Sequence, residues 1–98
     1  APAADLLPRD VILNVWFHWR LAPPTAGLKS LEFFGSKGYA TTGGAHADRT
    51  CARRWSVACK RVKDAGLPCI GILHTPWGRN YSALEEAANT AWRVPANP

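Results

Sequence analysis

The chain has 98 residues, of which 47% are hydrophobic and 19% are charged. This composition suits one folded domain and argues against intrinsic disorder. No apolar run approaches the roughly 18 residues that a transmembrane helix needs, so we do not expect a membrane-spanning protein. Twelve Lys and Arg against seven Asp and Glu give a net charge of +5. No nucleic-acid recognition motif accompanies this charge, so the composition does not favour nucleic acid as a partner.

The first βα unit is predicted near the amino terminus. Residues 11–17 form a β-branched and aromatic run, which predicts a strand buried on both faces. Two prolines then break the pattern, and Thr25 is placed to cap a helix. Leu28, Leu31 and Phe34 share one side of that helix, and Gly35 and Gly38 predict its end.

The second unit combines a weak strand with a strongly amphipathic helix. Residues 39–42 predict a short strand, which we expect to stop at Gly43 and Gly44. Residues 48–65 then predict a long helix, because apolar residues repeat there at helical spacing. The residues of this apolar side are Cys51, Trp55, Ala58, Val62 and Ala65. Gly66 predicts the end of the helix.

The third unit begins with the apolar run 68–73, which predicts another buried strand. Ser82 and Glu85 have the spacing of a capping box and predict the start of a final helix that reaches Trp92. The whole order is βαβαβα, which implies an α/β fold with three parallel strands and right-handed crossovers. We expect a single α/β domain over 1–98, structured over 8–92 and followed by a loose tail at 93–98.

A weak internal repeat of 28 residues supports this order of elements. The matched positions are Gly38 and Gly66, Gly43 and Gly71, and the histidines His18, His46 and His74. A parallel sheet of three strands leaves two open edges. We therefore expect the chain to associate with itself or with a partner chain, or to be part of a larger barrel.

The three cysteines show no spacing that is typical of a zinc ribbon or a redox motif. On one helix, Cys51 and Cys59 would lie about 12 Å apart, which is too far for a disulfide. The favoured interpretation of Cys51, Cys59 and Cys69 is that they are small buried hydrophobic side chains.

The polar residues that could carry chemistry follow the three predicted strands. Ligands of parallel α/β folds bind at the carboxyl ends of the strands, so these residues should share one rim. All three histidines of the chain belong to this group. The candidate substrate-binding residues are Trp16, His18, Trp19, Arg20, His46, Asp48, His74, Thr75 and Trp77.

Three interpretations of the rim compete. In the first, His18, His46 and His74 bind zinc or copper, with Asp48 as a fourth or supporting ligand. In the second, the indole faces of tryptophans stack on a sugar ring while His and Arg side chains bind its hydroxyls. Trp16 is either part of that wall or part of the core. In the third, the histidines only hydrogen-bond nearby backbone.

Several stretches resemble the hexosaminidase-like branch of the family 20 glycoside hydrolase superfamily. The stretch 7–12 with 16–19 resembles a late strand of that family's barrel, which carries a Trp-His-aromatic cluster. The stretch 30–39 resembles the following helix and the entry to the next strand. The stretch 70–77 resembles the final barrel strand, and 83–92 resembles the closing helix. The resemblance implies the last three βα units of an eight-unit barrel.

The resemblance carries over the lining of the sugar pocket, namely Trp16, His18, Trp19, Thr75 and Trp77. It does not carry over the family's acidic catalytic pair. Glu85 and Glu86 lie in the last predicted helix, and Asp5 and Asp10 precede the first strand. Glycoside hydrolysis normally needs two carboxylates across the scissile bond. Whether the chain is an enzyme is therefore left open.

The leading hypothesis is a protein that binds oligosaccharides or polysaccharides at a Trp and His rim. The alternative is a small three-histidine metalloenzyme with hydrolytic or oxidative chemistry, in which polysaccharide is one candidate substrate. A third hypothesis is a basic interaction module that uses the helix between Arg49 and Lys63 to bind polyanions in a salt-dependent way.

Overall fold

A computed structural model describes residues 2–16, 26–46, 49–75 and 81–95. The elements are α1 (Pro2–Asp5), β1 (Ile12–Trp16), α2 (Ala26–Ser36), β2 (Ala40–His46), α3 (Arg49–Asp64), β3 (Cys69–Thr75) and α4 (Leu84–Trp92). The predicted order βαβαβα is confirmed. The four-residue helix α1 precedes it and was not predicted from the sequence.

The three strands form one parallel sheet in the order β1-β2-β3. Helix α2 packs on β1 and β2, helix α3 on β2 and β3, and helix α4 on β3 and α3. Right-handed crossovers in this order place α2 and α3 on the same side of the sheet, and α4 packs against α3. The three helices therefore form one layer. Within the described residues, no helix of this layer covers the opposite face of the sheet. We call that opposite side the bare face.

Strand β1 is buried on one side only, so the prediction of a strand buried on both faces is wrong. Val15 is 8% exposed and belongs to the core beneath the helices. Ile12 and Trp16 are 59% and 45% exposed, and Asn14 is exposed between them. Side chains alternate along a strand, so Ile12, Asn14 and Trp16 share the bare face.

Strand β2 continues through Gly43 and Gly44, where the sequence predicted its end. A Cβ atom at Gly43 would lie 2.5 Å from the Trp55 ring and 2.9 Å from the Cys59 sulfur. A Cβ atom at Gly44 would lie 3.0 Å from Cδ1 of Trp16, on the other face. These glycines therefore let large side chains approach the sheet closely from both sides, and they do not break the strand.

Helix α3 presents its predicted apolar side to the sheet. Cys51, Trp55, Ala58 and Val62 are all buried, with Trp55 fully so. Ala65 lies past the helix end and is exposed. The fully buried Leu31 of α2 joins the same core cluster, and Leu28 and Phe34 pack against it as predicted.

The 28-residue repeat appears directly in the strand register. Ile12 pairs with Ala40 and Thr41 pairs with Cys69, both at this separation. Gly38 and Gly66 follow α2 and α3 with φ angles of 89° and 90°, the left-handed conformation that glycine adopts most readily at helix ends.

A bulge then shifts the register in β3. Thr42 pairs with Gly71, which leaves Ile70 as the extra residue. Beyond this point His46 is opposite Thr75, and His74 is opposite Ala45. The structural equivalence of His46 and His74 that the repeat suggested is therefore lost by one position.

Helix α4 begins without the predicted capping box. Its N-cap is Ala83, which forms no side-chain cap hydrogen bond. The helix is held instead through its contacts with α3. The buried Thr90 hydroxyl is 3.2 Å from the Ser56 hydroxyl, and the Arg53 guanidinium lies 3.6 Å from the Glu86 carboxylate. Burial against α3 thus takes the place of the local cap.

Candidate functional site

The carboxyl ends of the three parallel strands meet at one edge of the sheet. Trp16 ends β1, His46 ends β2, and His74 and Thr75 end β3. Both β2 and β3 are longer than the sequence predicted, so His46, His74 and Thr75 lie within strands and not in the loops after them. Trp16, His46, His74 and Thr75 thus lie at the carboxyl ends of the strands, and their roles as ligand contacts stay predictions.

Of the three predicted tryptophans of the site, Trp16 is the one that lies within the described part of the chain. It lies on the bare face, and 45% of its surface is exposed. Its register partner is Gly44, and the indole Cδ1 lies where a side chain at Gly44 would begin. Because the indole packs against a glycine of the neighbouring strand, a broad part of its apolar surface can contact a ligand. Of the two sequence-based alternatives for Trp16, a wall of the rim fits better than the core.

A polar pair lies beside Trp16 that the sequence analysis did not select. The Thr42 hydroxyl donates a hydrogen bond to Oδ1 of Asn14 at 2.9 Å. Asn14 is two residues before Trp16, and strand alternation alone places both on one face. That spacing was the signal available in the sequence, but the expectation of a strand buried on both faces hid it.

Thr75 and Leu73 complete the described part of the bare face at this edge. Leu73 is in register with Gly44 and is 51% exposed. The Thr75 hydroxyl donates a hydrogen bond to the carbonyl oxygen of Ala45 at 3.1 Å. The hydroxyl oxygen of Thr75 therefore keeps acceptor capacity for a ligand group.

His74 occupies the other side of the sheet. Its register partner Ala45 is fully buried beneath the helices. Both ring nitrogens of His74 are buried, and neither has a hydrogen-bond partner in the described part of the chain. Buried polar atoms are normally paired, so a group from outside the described residues, or a ligand, would satisfy the nitrogens of the His74 ring.

Of the remaining predicted site residues, His46 is located only through its backbone, in register with Thr75. The other five lie outside the described residues: His18, Trp19, Arg20, Asp48 and Trp77. Their roles stay predictions.

Carboxylates and metal ligands give no further catalytic set in the described part of the chain. Asp5, Glu32, Asp64, Glu85 and Glu86 all lie in helices, and Asp10 precedes β1. No group of three or more His, Cys, Asp or Glu residues there could hold a metal ion. The three-histidine hypothesis includes His18 and is therefore not decided by this observation.

The outer surface of α3 carries the basic residues that the sequence analysis noted. Two of them face carboxylates: Lys60 lies 2.9 Å from Asp64, and Arg53 lies 3.6 Å from Glu86. Exposed pairs of this kind contribute at most about 1 kcal/mol each. Their acidic partners reduce the positive potential that the polyanion hypothesis needs.

The chain matches no protein-family profile, no curated protein and no solved structure. The resemblance to family 20 glycoside hydrolases thus rests on the sequence stretches alone. No described helix combines the length and the hydrophobicity required to cross a bilayer.

Proposed function

We propose that this protein binds carbohydrate at the carboxyl end of its sheet, on the bare face beside Trp16. The observation that carries the proposal is the half-exposed indole of Trp16 next to the Asn14–Thr42 pair. An aromatic wall with a few converging polar groups is the usual composition of a small-ligand site. Thr75 supplies a further hydroxyl at the same edge.

The proposed activity is binding and not hydrolysis. None of the described carboxylates lies in a strand or follows one directly, and Asp48 alone does not provide the two carboxylates that hydrolysis normally uses. The predicted contacts from His18, Trp19, Arg20 and Trp77 would extend the site beyond the described residues, and His46 would add a contact at the end of β2.

The test is titration calorimetry with oligosaccharides of N-acetylhexosamine, the sugar class that the family resemblance suggests. Trp16→Ala is expected to weaken binding about tenfold or more, because the stacking surface is lost. Trp92→Ala is the matched control, since Trp92 is 89% exposed on α4 and belongs to the helix layer. Equal affinities of the wild type and Trp16→Ala would refute the proposed site.

The bare face also leads us to propose that a second copy of the chain covers part of it. Ile12 and Leu73 of the bare face are 59% and 51% exposed, and a second copy would remove these apolar side chains from water. The described strand positions of the bare face carry no charge, so two copies would not bring like charges together there.

The second candidate function is a metal site that includes His74, whose buried ring is the observation that favours it. The strand register puts His46 at a bare-face position, on the opposite side from His74, so the site does not combine these two histidines. Two buried imidazole nitrogens without partners fit a ring that ligates zinc or copper through one nitrogen. Bound metal would supply an activated water or redox chemistry.

Native mass spectrometry after incubation with zinc or copper tests this candidate. We expect about one metal per chain in the wild type and none in His74→Ala. Thr75→Ala is the matched control, because Thr75 is the next residue of the same strand and lies at a bare-face position. Undiminished metal uptake by His74→Ala would exclude His74 as a ligand.

A further inference from the structure

Two cysteines from different elements meet beneath the helix layer. Cys59 lies on the sheet side of α3, and Cys69 is the first residue of β3. The Cys59 thiol donates a hydrogen bond to the carbonyl oxygen of Gly71 at 3.3 Å, and the Cys69 thiol lies close enough to the Cys59 thiol to interact with it. The missing side chain of Gly43 gives Cys59 room to approach the sheet. The three cysteines of the chain form no disulfide.

A cavity of about 310 Å³ gives a route to this pair. It lies between α3, β3 and α4, and both thiols are part of its lining. Each cysteine is only 5% exposed, whereas Ile70 and Trp92 at the same cavity are 61% and 89% exposed. The cysteines therefore form the inner wall of a cavity whose outer residues face solvent.

The surroundings of the two thiols shift their pKa values in opposite directions. The hydrogen bond from Cys59 lowers the pKa of Cys69 to about 6, against the opposing effect of burial, and the Thr41 hydroxyl, the backbone of Gly71 and the charge of Lys63 help. The same hydrogen bond and burial raise the pKa of Cys59. The other charges at the cavity are Lys60 and Asp64, which pair at 2.9 Å.

The buried hydroxyl of Thr41 supports a negative charge at Cys69. Thr41 is the register partner of Cys69 and is fully buried. Its hydroxyl has no hydrogen-bond partner in the described part of the chain. Ionised Cys69 would accept a hydrogen bond from this hydroxyl, which would satisfy a buried polar group that otherwise stays unpaired.

We propose that Cys69 and Cys59 are a peroxide-reactive thiol pair, with Cys69 as the attacking thiolate and Cys59 as the resolving thiol. The Cys69 sulfur attacks one oxygen of hydrogen peroxide, breaks the O–O bond and becomes a sulfenic acid, while the leaving hydroxide takes a proton to form water. Cys59 then attacks the Cys69 sulfur and displaces a second water. Both sulfurs are oxidised to one disulfide, and one peroxide is reduced to two waters.

The charge on Cys69 also controls the second step. The pKa of Cys59 is raised chiefly because it hydrogen-bonds to Cys69. Conversion of the Cys69 thiolate to a neutral sulfenic acid removes that negative neighbour. Cys59 then loses its proton more easily, at the stage where it must act as the nucleophile. The pair is therefore ordered, and it does not depend on carbohydrate binding.

The first experiment uses the unmodified protein and follows alkylation of each cysteine by peptide mapping. Between pH 6 and pH 8 the rate at Cys69 should rise only about twofold, whereas a thiol with the ordinary pKa of about 8.5 rises about eightyfold. The comparison is a ratio at one site, so a constant difference in accessibility between the thiols cancels from it. A steep rise at Cys69 would overturn its assignment as the thiolate.

The second experiment treats the protein with hydrogen peroxide and measures intact mass and linked peptides. We expect a Cys59–Cys69 disulfide with loss of two hydrogens, and in Cys59→Ser a sulfenic acid at Cys69 that dimedone traps. Cys51→Ser is the matched control, because Cys51 is also buried in α3, and it should still form the disulfide. Oxidation spread equally over the three cysteines, or disulfide absent from the wild type, would refute the proposal.

Discussion

Replacing Trp55 with alanine is expected to lower the free energy of unfolding by about 3–5 kcal/mol, the usual cost of truncating a large buried aromatic side chain. Trp55 is fully buried in the core cluster of α3. Its ring is packed against the strand at Gly43, where no side chain stands between helix and sheet. The space of the indole would stay empty in Trp55→Ala, because Gly43 of the facing strand has no side chain that could fill it.

This loss is large for a chain of this size, because small domains are stable by only about 5–15 kcal/mol. Chemical denaturation followed by circular dichroism should show a lower midpoint with an unchanged slope. Trp92→Ala removes the same side chain from an 89% exposed position, and we expect a change within about 0.5 kcal/mol. Similar effects of the two substitutions would show that α3 does not pack on the sheet as described.

The order of elements was predictable because each helix carries a regular apolar period. Cys51, Trp55, Ala58 and Val62 repeat at helical spacing, and all are buried against the sheet. Gly38 and Gly66 were identified as helix ends, and both have positive φ angles there. These features are local, so the sequence specifies them without knowledge of the tertiary contacts.

Strand ends and strand faces were harder to predict because they depend on partners distant in sequence. Gly43 and Gly44 are typical strand breakers, yet Trp55 and Trp16 lie against them and the strand continues. The apolar run 11–17 also does not indicate that helices pack against only one face of its strand. Only the placement of all three helices in one layer reveals the bare face.

The sequence placed the candidate site residues at the carboxyl ends of the strands, but it did not indicate that they would be divided between two faces of the sheet. The bulge at Ile70 inserts one residue into β3 and places His74 opposite Ala45. A shift of one residue in a strand moves a side chain to the opposite face. Trp16 and His74 therefore lie on opposite sides of the sheet, which is why each carries a separate proposal.

The cysteine pair was missed because helical spacing relates only cysteines of the same helix, such as Cys51 and Cys59. Cys51 and Cys59 share α3, whereas Cys59 meets Cys69 across the layer between helix and sheet. A residue that faces inward from a helix can meet the first residue of the following strand. The sequence shows this only after the register of that strand is known.

Leu73→Asp is expected to dissociate the proposed assembly of two copies and to weaken association about a hundredfold or more. A carboxylate in an apolar interface would be buried without a partner, which typically costs about 3–5 kcal/mol. Leu73 is 51% exposed on the bare face in β3, and β2 separates it from Trp16 in β1. Because the side chain already faces solvent in the single chain, the substitution should leave the fold intact.

Sedimentation equilibrium over a range of concentrations measures this effect. The matched control is Leu84→Asp, because Leu84 is 52% exposed on α4 and belongs to the helix layer. Leu84→Asp should keep the association of the wild type, and Leu73→Asp should sediment as a monomer. A monomeric wild type, or an unaffected Leu73→Asp, would refute the bare face as the contact between copies. Oligosaccharide binding is measured separately through Trp16→Ala, so failure of one proposal would be distinguishable from failure of the other.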